Sequence, residues 1–477
     1  MDRLARLARA HKLLLLVVAA AAVLRVLVEI AYWPALTFSD SWQYIQLAYA
    51  NPVVGFGVDR PSGYPLLIHI LSIPGRSLAT ITIVQHLVGL ATGITAYALL
   101  VRLGIRTWIA AVAAAVILLD SYLVALEQHV MSETFFAFAL LVCAALAILY
   151  RQSPLLMAAS GFLLAAAVTM RVSALFAIPA FVLFLLLKAR PLRVLSAAVA
   201  GLALPLVAYA SLHAVEGHGF GFTEQIGGWA LYGRIASIAD CRGAAIPRET
   251  RPLCQSAAAR ASGFTPSSYV FSPKSPARRE FGTDPPNRAA GLLRDFAIAI
   301  IRKHPFQYLD LVASDFGRIF EPGGGGLDPP LLFPRKGSFA WETVIPEKLQ
   351  RDAYFPGYRR TIREPSGFLL AYQRVFHTPR WLMGIFGLAV ILAAVVRFFG
   401  RPERSARAAY LLLGGMGLSI VLGAVATVEL NLRFLAPAVP LLVCGGVLAL
   451  RDLAAAASAR WPRLSRSTAP VQAPTPP

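Results

Sequence analysis

The residues best suited to chemistry lie between the first two long apolar segments of the chain, at 37–65. This stretch, TFSDSWQYIQLAYANPVVGFGVDRPSGYP, combines two aspartates, an arginine and several aromatic side chains. Asp40 and Tyr44 lie four residues apart, so on a helix they share one face. Asp59 and Arg60 are adjacent and precede a Ser-Gly turn. A loop this polar and aromatic beside membrane segments predicts a binding or catalytic site.

Further polar residues occur at the ends of other apolar segments. The candidates are acids, arginines and a histidine: Glu127, His129, Glu133, Arg171, Glu429 and Arg433. Charged groups at a membrane are costly and therefore need a partner or a function. Because all six belong to helix ends predicted to face the same side, we expect one cleft to collect them.

Each candidate also has a purely structural interpretation. Asp40 with Gln43 three residues later fits a helix N-cap with a capping box. Asp59 and Arg60 could form a local ion pair with no further role. Glu133 would complement the dipole of the helix that it opens. These alternatives stay open at the level of sequence.

Three further polar features have structural interpretations. Arg171 could mark a tight hairpin, and His129 could be a hydrogen-bonded interfacial histidine. Arg25 and Glu29 lie four apart inside the first apolar segment and are predicted to form an ion pair.

The chain contains no HExxH, GxSxG or Cys/His metal spacing, which excludes the corresponding metalloprotease, serine hydrolase and zinc-site patterns.

The composition is that of a polytopic membrane protein. Of 477 residues, 57% are hydrophobic and 15% are charged, whereas soluble domains carry about 25% charged residues. The mean hydropathy is +0.61. The net charge of +20 is interpreted as membrane topology, since Lys and Arg gather on cytoplasmic loops. Nucleic-acid binding is excluded because the arginines are scattered and form no basic stripe.

Periodicity and length predict an all-α fold with about ten transmembrane helices, the first of them an uncleaved span. The segments are 12–33, 78–101, 107–125, 133–150, 154–170, 172–188, 193–213, 381–399, 408–428 and 432–450. Eighteen Lys and Arg residues lie at the segment ends on one predicted side of the membrane, and four lie at the segment ends on the other side. This asymmetry predicts cytoplasmic termini and an outer location for the site.

The predicted topology divides the chain into four parts. Residues 1–213 form the first transmembrane module, with its candidate catalytic loop at 34–77. Residues 214–380 form an extracytoplasmic segment of mixed composition. Residues 381–451 contain the last three spans, and 452–477 form a disordered tail.

The outer segment carries two recognisable features. Cys241 and Cys254 lie in it together, which predicts a disulfide, the alternative being two free thiols. Residues 288–320 have helical periodicity interrupted at His304-Pro305, which predicts two amphipathic helices. Gly323 to Gly326 predict a hinge or tight loop.

One carboxylate with several arginines suits the transfer of a sugar from a phosphate. Hydrolysis of a glycoside usually needs two carboxylates, because an alkoxide leaves poorly without protonation. Phosphate is already a good leaving group and mainly needs cationic hydrogen-bond donors, which arginine supplies. The acceptor hydroxyl needs one base, and in-line attack gives inversion.

The order of these motifs resembles the GT-C membrane glycosyltransferases. The motifs are an outer-loop aspartate (SDSWQYI), Arg-Pro-x-Gly-Tyr-Pro, Met-Ser-Glu-Thr opening the fourth helix and Arg-Phe-x-x-Pro opening the last. The resemblance implies a GT-C-like fold, a polyprenyl-phosphate sugar donor, and Asp40 as catalytic base or metal-associated acid. The family's Asp-Glu pair is Asp40-Ser41 here, so a second acid would come from Glu133 or Asp59. The resemblance implies a divalent metal ion as a candidate cofactor, and this departure from the Asp-Glu pair leaves metal dependence open.

The resulting hypothesis is a cell-membrane glycosyltransferase acting on an extracytoplasmic glycan, lipid or protein, surrounded by membrane lipids. Donor-phosphate binding is assigned to Arg60, Arg171 and Arg433. Substrate binding is assigned to aromatic and acidic residues, namely Trp42, Tyr44, Asp59, Tyr64, Glu127 and Glu133. One alternative is a transporter or flippase for a lipid-linked saccharide, which predicts paired broken helices and internal symmetry. Another is a non-catalytic scaffold, which would not need the converging charges.

Overall fold

The computed structural model describes residues 10–49, 55–56, 60–150, 152–187, 191–223, 226–256, 260, 263–282, 287–321, 333–334, 362–398 and 408–460. Within these ranges the chain is helical, and the β pairing is a single bridge between Leu36 and His129. Asp59, the glycines 323–326 and residues 461–477 lie outside the described residues. The prediction of a disordered tail at 452–477 is wrong for residues 452–460, because they continue the helix Val439–Arg460.

The described part of the N-terminal module contains ten α-helices. They are α1 (Lys12–Ala31), α2 (Ser39–Tyr49), α3 (Gly63–Leu71), α4 (Leu78–Arg102), α5 (Thr107–Leu118), α6 (Ser121–Gln128), α7 (Glu133–Leu149), α8 (Pro154–Met170), α9 (Ile178–Leu186) and α10 (Leu192–Val215). A 3-10 turn, Val172–Ala177, links α8 to α9.

The outer segment and the C-terminal helices complete the described fold. The outer helices are α11 (Ile226–Ile235), α12 (Pro266–Phe271), α13 (Pro276–Phe281), α14 (Asn287–Lys303) and α15 (Pro305–Gly317). The remaining helices are α16 (Ser366–Val375), α17 (Arg380–Phe398), α18 (Ala408–Thr427), α19 (Leu432–Leu435) and α20 (Val439–Arg460).

The helix lengths make this a multi-pass membrane protein, and the prediction of an all-α fold is confirmed for the described residues. Six helices are long and apolar enough to cross a membrane, or seven if the bent pair α5–α6 counts as one span. Three shorter apolar helices coincide with predicted segments, namely α7, α8 and the run Val172–Leu186. The predicted number of ten spans is therefore not confirmed.

The bend between α5 and α6 has a local cause. Asp120 caps α6, accepting a hydrogen bond from Leu123 N at 2.8 Å, and so starts a new helix instead of extending α5. Its second oxygen accepts from Thr378 N at 2.5 Å, close to the start of α17. The two helices meet at 48°, and this angle decides where the end of α6 points.

Small residues allow the membrane helices to pack closely. A Cβ atom at Gly161 on α8 would lie 2.3 Å from the carbonyl oxygen of Ala198 on α10. A Cβ at Gly201 would lie 2.1 Å from the carbonyl oxygen of Ala158. Small residues that let two backbones approach closely are enriched where helices pack in membranes.

The outer segment has a hydrophobic core of its own, built around Trp229, Tyr232, Leu293 and Phe296. Cys241 and Cys254 form the predicted disulfide. The predicted break in the amphipathic region is also confirmed, because α14 ends at Lys303 and α15 begins at Pro305. Tyr308 on α15 donates to the carbonyl of Ala426 at 2.8 Å, which joins the segment to α18.

Candidate active site

The site is assembled where the first loop meets the end of α6. Leu36 N donates to Gln128 O at 2.9 Å, and Val130 N donates to Leu36 O at 3.0 Å. This pairing fixes the chain just before α2, and Ser41 Oγ accepts from Phe38 N at 2.8 Å as the helix begins. Asp40, in the first turn of α2, is thereby held close to the start of α7.

Three arginines reach this point from different elements. Arg60 precedes α3, in a turn held by the hydrogen bond from Ser62 N to Tyr209 Oη at 2.9 Å. Arg171 follows the last residue of α8. Arg433 lies in α19, where Asn431 Oδ1 accepts from its backbone N at 2.9 Å. The predicted convergence of these residues is present in the structure.

The side chains form an alternating row of charges, Arg60–Asp40–Arg433–Glu133–Arg171. Arg60 Nη2 lies 2.8 Å from Asp40 Oδ1, and Arg433 Nη2 contacts the other Asp40 oxygen. Arg433 Nε lies 2.5 Å from Glu133 Oε1, which also contacts Arg171. Three positive charges face two negative ones, so the row has a formal excess of one positive charge.

The arginines are the more exposed members of the row. The acid side chains are 7% exposed for Asp40 and 2% for Glu133. The guanidinium side chains are 21% exposed for Arg60, 12% for Arg171 and 15% for Arg433. The row therefore offers positive groups to a ligand and keeps its carboxylates behind them.

Asp40 is ionised in this setting. Burial alone raises the pKa of its carboxyl, but Arg433 and Arg60 outweigh that effect and hold the pKa well below its usual range. Both of its oxygens contact arginines, so capping α2 is not its sole role. An acid stabilised as its anion in this way accepts a proton poorly, which weakens the prediction that Asp40 is the base.

The row borders a cavity of about 470 Å³ between the membrane helices and the outer segment. Ligand sites usually have volumes of this size. The lining includes Asp40 and His129, and burial lowers the pKa of this histidine to about 4. The lining also includes Ser267 and Phe271 of α12 and Glu429 from the link between α18 and α19.

The aromatic side chains do not line the site as predicted. Tyr44 and Tyr64 are 1% and 0% exposed, and their rings pack edge to face at 4.9 Å. Tyr64 Oη donates to Gln85 Oε1 at 2.6 Å. The prediction that both rings face a sugar is wrong, because both rings are buried and neither lines the cavity. Trp42 is half-buried and stays a candidate.

The structure places Glu127 in a different cluster. Because α6 bends away from α5, Glu127 faces α1 and α4, where Arg25 Nη2 lies 2.7 Å from its Oε1. His86 Nδ1 lies 2.7 Å from its Oε2. Gly89 makes room for it, since a Cβ there would lie 1.9 Å from Glu127 Oε1.

Two predictions are corrected by this second cluster. Glu127 does not join the Asp40 row. Arg25 pairs with Glu127 instead of with Glu29, whose carboxylate lies 3.9 Å from His86 Nε2.

The described site residues do not fit a divalent metal ion as they are arranged. The described residues contain no group of three or more His, Cys, Asp and Glu side chains able to hold one. Asp40 and Glu133 already contact guanidinium groups, and a cation beside them would meet three arginines. The positive groups of the described site are therefore its three arginines.

Sequence reasoning missed the contribution of the outer segment. Ser267 and Phe271 belong to a short helix for which no motif was recognised, yet both line the cavity. The carboxylate of Glu429 accepts a hydrogen bond from Ser267 Oγ of this helix. No signal in the sequence indicated that α12 would reach this point.

No protein-family model matches the chain, and no curated protein sequence matches it. Among solved structures it is similar to the archaeal oligosaccharyltransferase AglB from Archaeoglobus fulgidus in complex with an inhibitory peptide and a dolichol-phosphate. The identity is 15%, the TM-score is 0.41, and the alignment covers 94% of this chain and 52% of that one.

Two other structures of the Archaeoglobus fulgidus oligosaccharyltransferase show a comparable likeness. One is the apo form, at 14% identity and TM-score 0.39, covering 94% of this chain and 52% of that one. The other is tethered to an acceptor peptide containing the NVT sequon, at 15% identity and TM-score 0.39, covering 94% and 50%. The present chain thus spans about half the length of these chains.

Proposed function

We propose that this protein is a membrane glycosyltransferase that moves a sugar from a polyprenyl-phosphate donor to an acceptor hydroxyl at the cavity beside Asp40. The observation that carries the proposal is the row Arg60–Asp40–Arg433–Glu133–Arg171. Its excess positive charge and the exposure of its arginines suit an anion. The motif order that resembles the GT-C glycosyltransferases adds to this support.

A lipid phosphate fits this place better than a soluble one. Arg433 belongs to a span that starts at Leu432, and Arg171 immediately follows the apolar helix α8. The phosphate would meet the arginines while its prenyl chain lies between apolar helices. A guanidinium near lipid is costly without an anion, and the low dielectric there strengthens its attraction to one.

The arginines would act mainly on the leaving group. A sugar–phosphate diester carries one negative charge, and its phosphate acquires a second one as the bond to the sugar breaks. Arg60, Arg171 and Arg433 would hold this developing charge, which is the kind of preorganised electrostatic help that lowers a barrier most. Asp40 and Glu133 would keep the three guanidinium groups in place.

The alternative of transport is less well supported. Among the described residues one pair of helices, α5 and α6, forms a bent apolar span, whereas transporters of this kind typically have paired broken helices. The charged row also lies at helix ends and not along a path through the helices.

The test is sugar transfer by purified protein in lipid nanodiscs, with polyprenyl-phosphate sugars as donors and hydroxyl-bearing glycans, lipids and peptides as acceptors. We expect transfer from at least one such donor and none from a nucleotide sugar without a lipid carrier. The control variant Arg294→Ala removes an exposed arginine of α14 that pairs with its neighbour Asp295. We expect it to transfer sugar as the wild type does. Efficient use of a nucleotide sugar by the pure protein would refute the proposal.

A further inference from the structure

Glu429 lines the same cavity as Asp40 and the three arginines of the row. It belongs to the four-residue link between α18, which ends at Thr427, and α19, which begins at Leu432. Its carboxylate accepts a hydrogen bond from Ser267 Oγ of α12, and both residues line the cavity together with Asp40. Glu429 therefore joins the outer segment to the membrane helices at the site itself.

The other acids of the site are poorly placed to take up a proton. Asp40 contacts Arg60 and Arg433, while Glu133 contacts Arg171 and Arg433. Protonating either acid would leave guanidinium groups facing a neutral carboxyl in a buried position, which is unfavourable.

His129 is also a weak acceptor. Its Nδ1 faces the carbonyl of Ala125 at 2.7 Å, so this nitrogen carries the proton and Nε2 is left as the acceptor. Burial lowers the pKa of the imidazole to about 4. Among the described residues that line the cavity, Glu429 is then the carboxylate with no arginine against it.

We propose that Glu429 is the general base that deprotonates the acceptor hydroxyl, an inference that rests on the glycosyl transfer proposed above. The acceptor oxygen attacks the anomeric carbon as its proton passes to the carboxylate of Glu429. The bond from that carbon to the phosphate oxygen breaks, and its electron pair leaves with the polyprenyl phosphate. The phosphate stays with the arginines, and Glu429 later releases the proton to water.

This assignment gives the two groups of lining residues different roles. The arginine row binds the donor phosphate, and Glu429 with Ser267 receives the acceptor. The acceptor would approach between α12 and the start of α19, so the outer segment helps to choose it. The acceptor class is a molecule with a hydroxyl group, whether sugar, lipid or peptide.

The central test uses Glu429→Gln in the full-length protein in nanodiscs. Glutamine keeps the size of the side chain and can still accept the hydrogen bond from Ser267, but it cannot take a proton. We expect kcat to fall by about 100-fold or more, the usual scale for losing general-base help. The Kd for polyprenyl phosphate should stay within about twofold, and Glu216→Gln, an exposed acid at the end of α10, should leave both values unchanged.

Two further measurements separate a base from a structural link. The rate should lose its dependence on pH on the acid side in Glu429→Gln, and added formate should restore part of the activity of Glu429→Ala. Ser267→Ala removes the link but keeps the carboxylate, so it should retain most of the pH dependence. A structural role would instead make Ser267→Ala as damaging as Glu429→Gln, with no rescue by formate.

The outcomes distinguish this inference from the function on which it rests. Wild-type transfer together with an active Glu429→Gln would refute the role of Glu429 and leave the glycosyltransferase proposal standing. Loss of polyprenyl-phosphate binding in Glu429→Gln would also refute it, because the acid would then serve the donor. If the wild type transfers no sugar from any polyprenyl-phosphate donor, both proposals fail together.

Discussion

Arg433 offers the sharpest test of the donor site, because it touches both acids of the row. Replacing it with alanine removes the contacts to Asp40 and to Glu133 at once. Asp40 keeps Arg60 at 2.8 Å, and Glu133 keeps Arg171. The row would then hold two positive and two negative charges, and its excess positive charge would be lost.

The size of the effect follows from the value of one charge-assisted hydrogen bond. Such a bond contributes about 1.5–3 kcal/mol, and each 1.4 kcal/mol is a factor of about ten in affinity. We therefore expect Arg433→Ala to weaken the binding of polyprenyl phosphate by roughly 10- to 140-fold. Arg433→Lys keeps the charge but loses the planar fork that reaches both acids, so its affinity should be intermediate.

The assay is direct binding of polyprenyl phosphate to the protein in nanodiscs, followed by the KM for donor and acceptor. The KM for the donor should rise much more than that for the acceptor. Thermal unfolding checks the fold, because removing one partner of a buried ion pair costs about 3–5 kcal/mol when nothing replaces it. Unchanged affinity for polyprenyl phosphate in a folded Arg433→Ala protein would refute the assignment of the donor site.

Three other predictions concern the fold. Replacing Cys241 and Cys254 with serine should destabilise the outer segment by about 3 kcal/mol in the chain-entropy model, measured by thermal unfolding with and without reductant. Glu127→Gln should destabilise the protein by about 3–5 kcal/mol, since it leaves Arg25 buried without its charged partner. Sugar transfer per folded molecule should change little, and a comparable loss of transfer would instead assign Glu127 to the active site. Cysteine labelling should place Lys274→Cys on the side opposite the C-terminus, and labelling both from one side would overturn the predicted orientation.

The sequence alone determined the features that depend on local pattern or on overall charge. The helical fold followed from long apolar segments, and the break before α15 followed from Pro305. The disulfide followed from two cysteines in one outer segment. The convergence of Asp40 with Arg433 could be predicted as well, because charged residues at helix ends on one side of a membrane are confined to a thin layer.

Tertiary structure decided which partner each of these groups has. The sequence pattern predicted that Glu127 would join Asp40 in one cleft. In the structure the chain bends at Asp120, and Glu127 pairs with Arg25 on α1. Tyr44 shares a helical face with Asp40, yet its ring became part of the core beside Tyr64.

Glu429 lies four residues before Arg433 in the sequence, yet its carboxylate accepts a hydrogen bond from Ser267, which lies 162 residues away. Helical periodicity states which residues share a face of one helix, but not which other helix that face will meet. That choice depends on bends, close glycine contacts and the packing of distant segments, and these arise only when the whole chain is folded.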